Sequence, residues 1–268
     1  MDSYDRLVEW FSKNGERVMV ALSGGVDSAV VALAAKKALG NGAIAITADY
    51  KTLAKEELAT AQQVAKEIGI ELKIIEYDEL ENPGFVKNDS MRCYHCRTEL
   101  GQHLVKEAEK TGISLIVDGT NVDDLSDYRP GILAMRENNV RSPMVELGIT
   151  KSEIREIAKH FGLSIYDKPS NSCLASRIPT GHKVTYEKLQ RIESSEIIVK
   201  TIFDVRRVRV RDHGELARIE VGKDELQKMF DVDKLALLDS KLKEIGFKFV
   251  SIDAAGYKTG KLVMLDND

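Results

Sequence analysis

In the first half of the chain, apolar residues fall into short unbroken runs separated by longer segments of helical character. Val18-Met19-Val20-Ala21-Leu22, Ala43-Ile44-Ala45-Ile46-Thr47, Leu72-Lys73-Ile74-Ile75 and Leu115-Ile116-Val117 have the length of buried strands. Between them, residues 28–35 favour a helix by propensity and length. Leu58, Ala61, Ala65 and Ile68 form an apolar stripe on a second helix that stops at Gly69, and Leu100, Leu104 and Ala108 do the same on a third that runs to Gly112. A lead-in helix over 2–14 places Leu7, Trp10 and Phe11 at helical spacing. Strands alternating with helices predict βαβ units, hence an α/β fold with a doubly wound parallel sheet covered on both faces. Ligands of such sheets sit outside the carboxyl ends of the strands, where the strand order switches. Two of those ends, Ser23-Gly24-Gly25 and Asp118-Gly119-Thr120-Asn121, are expected to line one crevice.

From about residue 182 the pattern changes. Residues 185–201 read as a helix, Val205-Arg206-Arg207-Val208-Arg209-Val210-Arg211 alternates strictly, and Leu216-Ala217-Arg218-Ile219-Glu220-Val221 repeats the alternation. That predicts a hairpin with one apolar face. Helical segments through Leu235, Leu238 and Leu242 and a strand over 247–252 complete a small α+β domain. The expected organisation is a nucleotide domain over 1–181 and a C-terminal substrate or oligomerisation domain over 182–268. Arg209 and Arg211, two apart on a strand, share a face, where they either clamp an anion or simply meet solvent.

Composition narrows the class. The 268 residues are 43% hydrophobic and 31% charged, as in a soluble globular protein. No apolar run reaches membrane-spanning length and no signal-peptide core opens the chain, so a cytoplasmic enzyme without a membrane partner is expected. The net charge of −4 argues against a dedicated nucleic-acid binder, although the stripe over 206–211 is locally basic. Three cysteines do not suggest a secreted disulfide framework.

Ser23-Gly24-Gly25-Val26-Asp27-Ser28 joins the first strand to its helix. Small residues there let backbone N–H groups approach an anion, and the helix start adds partial positive charge; the bland alternative is an ordinary strand-to-helix turn. Neither a G-x-x-x-x-G-K-[ST] loop nor a G-x-G-x-x-G loop is present. The segment resembles the PP-loop of the N-type ATP pyrophosphatases. That resemblance implies that Ser23, Gly24, Gly25, Asp27 and Ser28 hold ATP with Mg²⁺, and that an oxygen nucleophile displaces pyrophosphate from the α-phosphorus. It also implies that Asp27 takes part in catalysis, that Gly119 and Thr120 border the nucleotide pocket, and that Arg129, after Tyr128, neutralises phosphate or carboxylate charge. Further on, Thr150-Lys151-Ser152-Glu153-Ile154-Arg155 has capping-box spacing and reads chiefly as structure.

The sulfur chemistry centres on three positions. Cys93-Tyr94-His95-Cys96 is a C-x-x-C motif, which alone is a redox dithiol or half a zinc site. Cys173 lies in Lys168-Pro169-Ser170-Asn171-Ser172-Cys173-Leu174-Ala175-Ser176-Arg177-Ile178-Pro179, where a cation as near as Arg177 favours a reactive cysteine over a buried structural one. Zinc would require His95 or His182 as a fourth ligand. Three thiolates, Cys93, Cys96 and Cys173, otherwise suit a 4Fe–4S cluster with one iron open. Together with Gly246-Phe247 and Gly256-Tyr257-Lys258-Thr259-Gly260, these motifs resemble the LarE family over essentially the whole chain. That family comprises the ATP-dependent sulfur transferases of nickel-pincer nucleotide synthesis. The resemblance implies adenylation of a carboxylate of pyridinium-3,5-biscarboxylic acid mononucleotide, then its conversion to a thiocarboxylate. Catalytic roles then fall to Asp27, Cys173 and Arg177, and the substrate phosphate to Arg209 and Arg211. In one branch Cys173 gives up its own sulfur; the additional Cys93 and Cys96 place this chain nearer a cluster-bearing branch. A small-molecule nucleotide, sulfide or another sulfur donor and a homo-oligomeric assembly follow as expectations. A PP-loop tRNA thiolase and a nucleotide-dependent metal sensor are the competing readings.

Overall fold

A computed structural model describes residues 2–126, 129–169 and 171–257, so Tyr128, Ser170 and Lys258-Thr259-Gly260 of the expected motifs lie outside the described residues. The chain begins α1 (Asp2–Asn14), β1 (Val18–Ala21), α2 (Val26–Leu39), β2 (Ala43–Asp49), α3 (Lys55–Ile68), β3 (Glu71–Glu76) and α4 (Pro83–Val86). It continues through α5 (Arg92–Thr111), β4 (Leu115–Val117), α6 (Pro130–Glu137), β5 (Val140–Arg141), α7 (Pro143–Glu146) and α8 (Lys151–His160). The last elements are α9 (Tyr186–Phe203), β6 (Val208–His213), β7 (Leu216–Val221), α10 (Val232–Glu244) and β8 (Phe249–Ile252).

The first five strands make one parallel sheet in the order β3-β2-β1-β4-β5. β1 pairs with β2 on one side and β4 on the other, so the strand order reverses beside it. Alternate β1 side chains enter different layers. Val18 and Val20 pack with Leu7, Phe11, Val30, Val31 and Ile154. Met19 packs with Ile44, Ile46, Leu104 and Ile116 on the other face. A short strand buried on both faces reads as the continuous apolar run seen in the sequence. Each such side chain contributes about 1.5–3 kcal/mol by leaving water. The predicted doubly wound sheet is therefore present. Thr150 caps α8 as its spacing predicts: its hydroxyl accepts from Glu153 N while Glu153 accepts from Thr150 N.

The chain divides into two compact units, Met1–Glu79 with Met91–Asn171 and, second, Leu80–Ser90 with Ser172–Asp268. The excursion over 80–90 joins that unit through Asn88, at φ 59°. Its amide donates to the carbonyls of Ile178, Pro179 and His182. Val184 N also donates to Val86 O. In the second unit β6 and β7 form the predicted antiparallel hairpin, and β8 joins β7 in parallel. Val208, Val210, Ile219 and Val221 pack with Val199, Phe203, Leu238 and Leu242. β6 does not have the half-exposed face that its alternation suggests: Val208 through Asp212 are all buried.

Candidate functional site

The loop after β1 is built by its own hydroxyls. Leu22 N still pairs with Ile46 O, and the Thr47 hydroxyl donates to Leu22 O, which fixes where the strand ends. Ser28 Oγ then donates to Gly25 O and accepts from Ser23 N, each at 3.1 Å, and lies 3.1 Å from Ser23 Oγ. Gly24 takes φ 76°, and a Cβ there would stand 2.7 Å from Glu57 O, so both backbone freedom and close approach require glycine. Gly25 is the N-cap of α2 and offers no side-chain cap, which leaves the first-turn N–H groups to an anion. The β4 loop reaches the same place: a Cβ on Gly119 would come within 2.6 Å of Ser28 N. The two expected strand ends are thus brought together.

Charged groups surround this loop. Lys151 Nζ donates to Asp27 Oδ1 at 2.6 Å, and Asn121 Nδ2 donates to the same oxygen at 3.3 Å. Lys168 Nζ donates to Glu57 Oε2 at 2.9 Å and to Gly24 O at 3.4 Å. Neither lysine stands out in the sequence. Lys151 sits in a segment whose capping box reads as structural, and its backbone N–H is bound to Asp123. Asp118 accepts from Thr120 N, Thr120 Oγ1 and Ser142 Oγ, so it shapes its own loop. Arg129 pairs with Asp124 at 2.5 Å in an exposed position.

Cys93 and Cys96 lie three apart at the start of α5, Cys93 exposed and Cys96 half-buried, and neither is in a disulfide. Arg92 Nη2 stands 3.9 Å from Cys93 Sγ. Both cysteines belong to the first unit and Cys173 to the second. Among the described residues no three His, Cys, Asp or Glu side chains stand together as a metal site.

Cys173 precedes a short 3-10 turn over Leu174–Arg177 and is half-buried. Arg177 is fully buried at 1% exposure. Its Nε and Nη2 meet Glu196 at 2.8 and 3.1 Å, while Nη1 donates to Cys173 O, Ser172 Oγ, Ser176 Oγ and the Ser172 carbonyl. The guanidinium thus organises the turn from behind through the Cys173 carbonyl, and Glu196 balances its charge. Arg211 extends the scaffold, donating to Ser176 O at 2.8 Å and Glu220 Oε2 at 2.7 Å. Arg209 donates to Val208 O, and its guanidinium lies 5.0 Å from the Tyr257 ring. Burial, then the neighbouring Arg177 charge, holds the Arg209 pKa below the usual guanidinium value. Arg209 and Arg211 are 7% and 8% exposed, so they form neither a solvated face nor an open track for RNA phosphates. Arg207 is paired with Asp224.

A parallel sheet with its strand order reversing at a glycine-serine loop, and an acid–lysine pair at the helix start, defines an ATP-utilising enzyme of the PP-loop class. The family described as "Queuosine biosynthesis protein QueC" matches residues 17–99, which hold β1, the loop and α2. The chain is 42% identical to the uncharacterized protein slr1717 of Synechocystis sp., over 92% of each chain. It is 33% identical to the uncharacterized protein MJ0830 of Methanocaldococcus jannaschii, over 91% of this chain and 92% of the relative. It is also 28% identical to the pyridinium-3,5-bisthiocarboxylic acid mononucleotide synthase of Lactiplantibacillus plantarum, over 93% of this chain and 90% of that enzyme. The chain belongs to the family of these proteins, the LarE family. No helix among the described residues is long and apolar enough to cross a membrane.

Proposed function

We propose that this protein is an ATP-dependent sulfurtransferase that converts a carboxylate of pyridinium-3,5-biscarboxylic acid mononucleotide to a thiocarboxylate. The observation that carries the reading is the loop over 23–28, closed by the Ser28 hydroxyl, abutted by Gly119 and flanked by Lys151 and Lys168. Full-length similarity to a bisthiocarboxylate nucleotide synthase supplies the substrate class.

A substrate carboxylate oxygen attacks the α-phosphorus of ATP, the α–β phosphoanhydride bond breaks, and pyrophosphate leaves into the loop. Backbone N–H groups at the start of α2 and the two lysine ammoniums stabilise the charge that develops there. Asp27, held by Lys151 and Asn121, faces the phosphates with Mg²⁺, while Gly119 and Thr120 border the nucleotide. Arg129 is its proposed outer anion contact. Sulfur then replaces AMP on the activated carbonyl. Arg177 and Arg211 position the Cys173 turn for that step, and Arg209 is the proposed contact for the substrate phosphate.

Cys93, Cys96 and Cys173 match in kind the donors of a 4Fe–4S cluster with one open iron. Two come from one helical turn at the start of α5, and the third opens the turn that Arg177 organises. When bound, such a cluster supplies a sulfide nucleophile. A second reading rests on Cys173 alone, whose turn Arg177 organises through the Cys173 carbonyl. In it, Cys173 Sγ attacks the acyl-adenylate and AMP leaves; loss of the Cα proton with Cβ–S cleavage then gives the thiocarboxylate and dehydroalanine.

The test is pyrophosphate release from ATP with the dicarboxylate nucleotide or with bulk tRNA, plus iron and sulfide analysis of anaerobically purified protein. Release that requires the nucleotide supports the proposal. Release that requires tRNA overturns it. Iron and sulfide in the protein favour the cluster, and dehydroalanine at position 173 after a single turnover favours the sacrificial route.

A further inference from the structure

Tyr166, Lys168 and Asn171 precede the Cys173 turn in the chain, and two braces tie these residues down. Arg155 of α8 donates to Tyr166 O at 2.9 Å and to Lys168 O at 3.3 Å. The same helix begins with Lys151, the partner of Asp27. The second brace runs through Glu57 on the first turn of α3. Glu57 Oε2 accepts from Lys168 Nζ at 2.9 Å, and Oε1 accepts from Asn171 Nδ2 at 2.9 Å. Lys168 Nζ also reaches Gly24 O, inside the loop, at 3.4 Å. Glu57 is 8% exposed, and a Cβ on Gly24 would collide with its carbonyl oxygen, so α3 is pressed against the loop. A buried carboxylate depends on its cation and its hydrogen-bond donors, and losing one forces the others to rearrange. Asn171 is followed directly by Ser172 and Cys173.

We propose, resting on the reading of the 23–28 loop as the pyrophosphate site, that Lys168 and Glu57 are positioning residues that couple occupancy of the loop to the Cys173 turn. Lys168 stands beside the loop carbonyl where a highly charged anion arrives, so phosphate oxygens compete with Glu57 for its ammonium. Drawn toward the phosphates, Lys168 leaves Glu57 short of charge, and the Glu57–Asn171 bond that anchors the start of the Cys173 segment rearranges. No covalent bond changes. The consequence is order: the sulfur-bearing turn loosens only after ATP is seated, when an acyl group is about to be available.

The experiment is hydrogen exchange of the full chain read by mass spectrometry on peptides covering 171–178, with and without magnesium pyrophosphate. Calorimetry measures pyrophosphate binding separately. At saturation the parent should exchange at least about threefold faster over 172–177. Lys168→Met, brought to its own saturation, should show no pyrophosphate-dependent change. Glu57→Gln, which keeps an amide oxygen for Asn171 but removes the charge, should exchange fast without pyrophosphate; it decides the matter alone if the lysine variant fails to fold. A parent that binds pyrophosphate with unchanged exchange overturns the coupling and leaves the loop reading intact, as does a Lys168→Met that responds like the parent. A parent that binds no pyrophosphate removes the loop reading and the coupling with it.

Discussion

Replacing Gly119 by alanine presses a methyl group onto the start of α2. The added Cβ stands 2.6 Å from Ser28 N, 2.8 Å from Ser28 Cα and 3.1 Å from Asp27 C. All three are main-chain atoms, so no rotamer change relieves the contact, and attractive packing needs about 3.5–4 Å. Overpacking of this kind costs about 1–3 kcal/mol. In a unit of this size that lowers Tm by about 2–12 °C. Because the strain separates the ends of β1 and β4, pyrophosphate release should fall more steeply than stability. Gly25→Ala is the control. Its Cβ meets only Ser23 Oγ at 3.5 Å, and its φ of −92° with ψ 156° suits any residue. The fold should therefore lose under about 1 kcal/mol, the scale of an N-cap change. Activity should still drop, since the methyl is added at the N-cap of α2 inside the proposed pyrophosphate loop. Circular-dichroism melts and ATP-dependent pyrophosphate release measure both effects. Gly119→Ala with parental Tm and parental release, or Gly25→Ala as destabilised as Gly119→Ala, would refute the packing argument.

Three further outcomes follow from the same geometry. Lys151→Met removes the cation on Asp27 and should lower pyrophosphate release at least about tenfold, yet cost under about 1 kcal/mol in a denaturant melt, because both partners are partly exposed. Arg177→Met leaves Glu196 buried without its partner and should destabilise the second unit by about 3–5 kcal/mol, read by urea unfolding. The Ser3 hydroxyl bond, then the Thr150 backbone bond, lowers the Glu153 carboxyl from 4.5 to about 2. Its contribution is thus complete above pH 4.5 and is lost as pH falls toward 2, so the Tm gap between parent and Glu153→Gln should be full at pH 7 and close over that window.

What could be read from the sequence was local. β1, the loop and α2 are contiguous, and their apolar run and paired glycines declare strand, turn and helix start without reference to the rest of the chain. Lys151 and Lys168 were not legible as site residues, because they act on Asp27 and Gly24 from 124 and 144 positions away. Glu57 is one of two acidic residues in the first turn of α3, and only the fold gives it Lys168 and Asn171. In β6 the alternation of Val with Arg left an anion clamp and a solvated face equally open; the fold buries both arginines, Arg211 against Glu220 and Arg209 against the Val208 carbonyl. Arg177 was recognisable as the neighbour of Cys173. That it grips the carbonyl of that residue depends on Ser172, Ser176 and Glu196 converging on one guanidinium.

The central claim is a division of labour: the 23–28 loop activates the carboxylate and Cys173 serves sulfur delivery. Mass analysis of the products formed by Asp27→Ala and Cys173→Ala with ATP, Mg²⁺ and the dicarboxylate nucleotide tests it most directly. Cys173→Ala should release pyrophosphate and form the acyl-adenylate without thiocarboxylate, while Asp27→Ala should form neither. Thiocarboxylate from Cys173→Ala, or adenylate at the parental rate from Asp27→Ala, would contradict it.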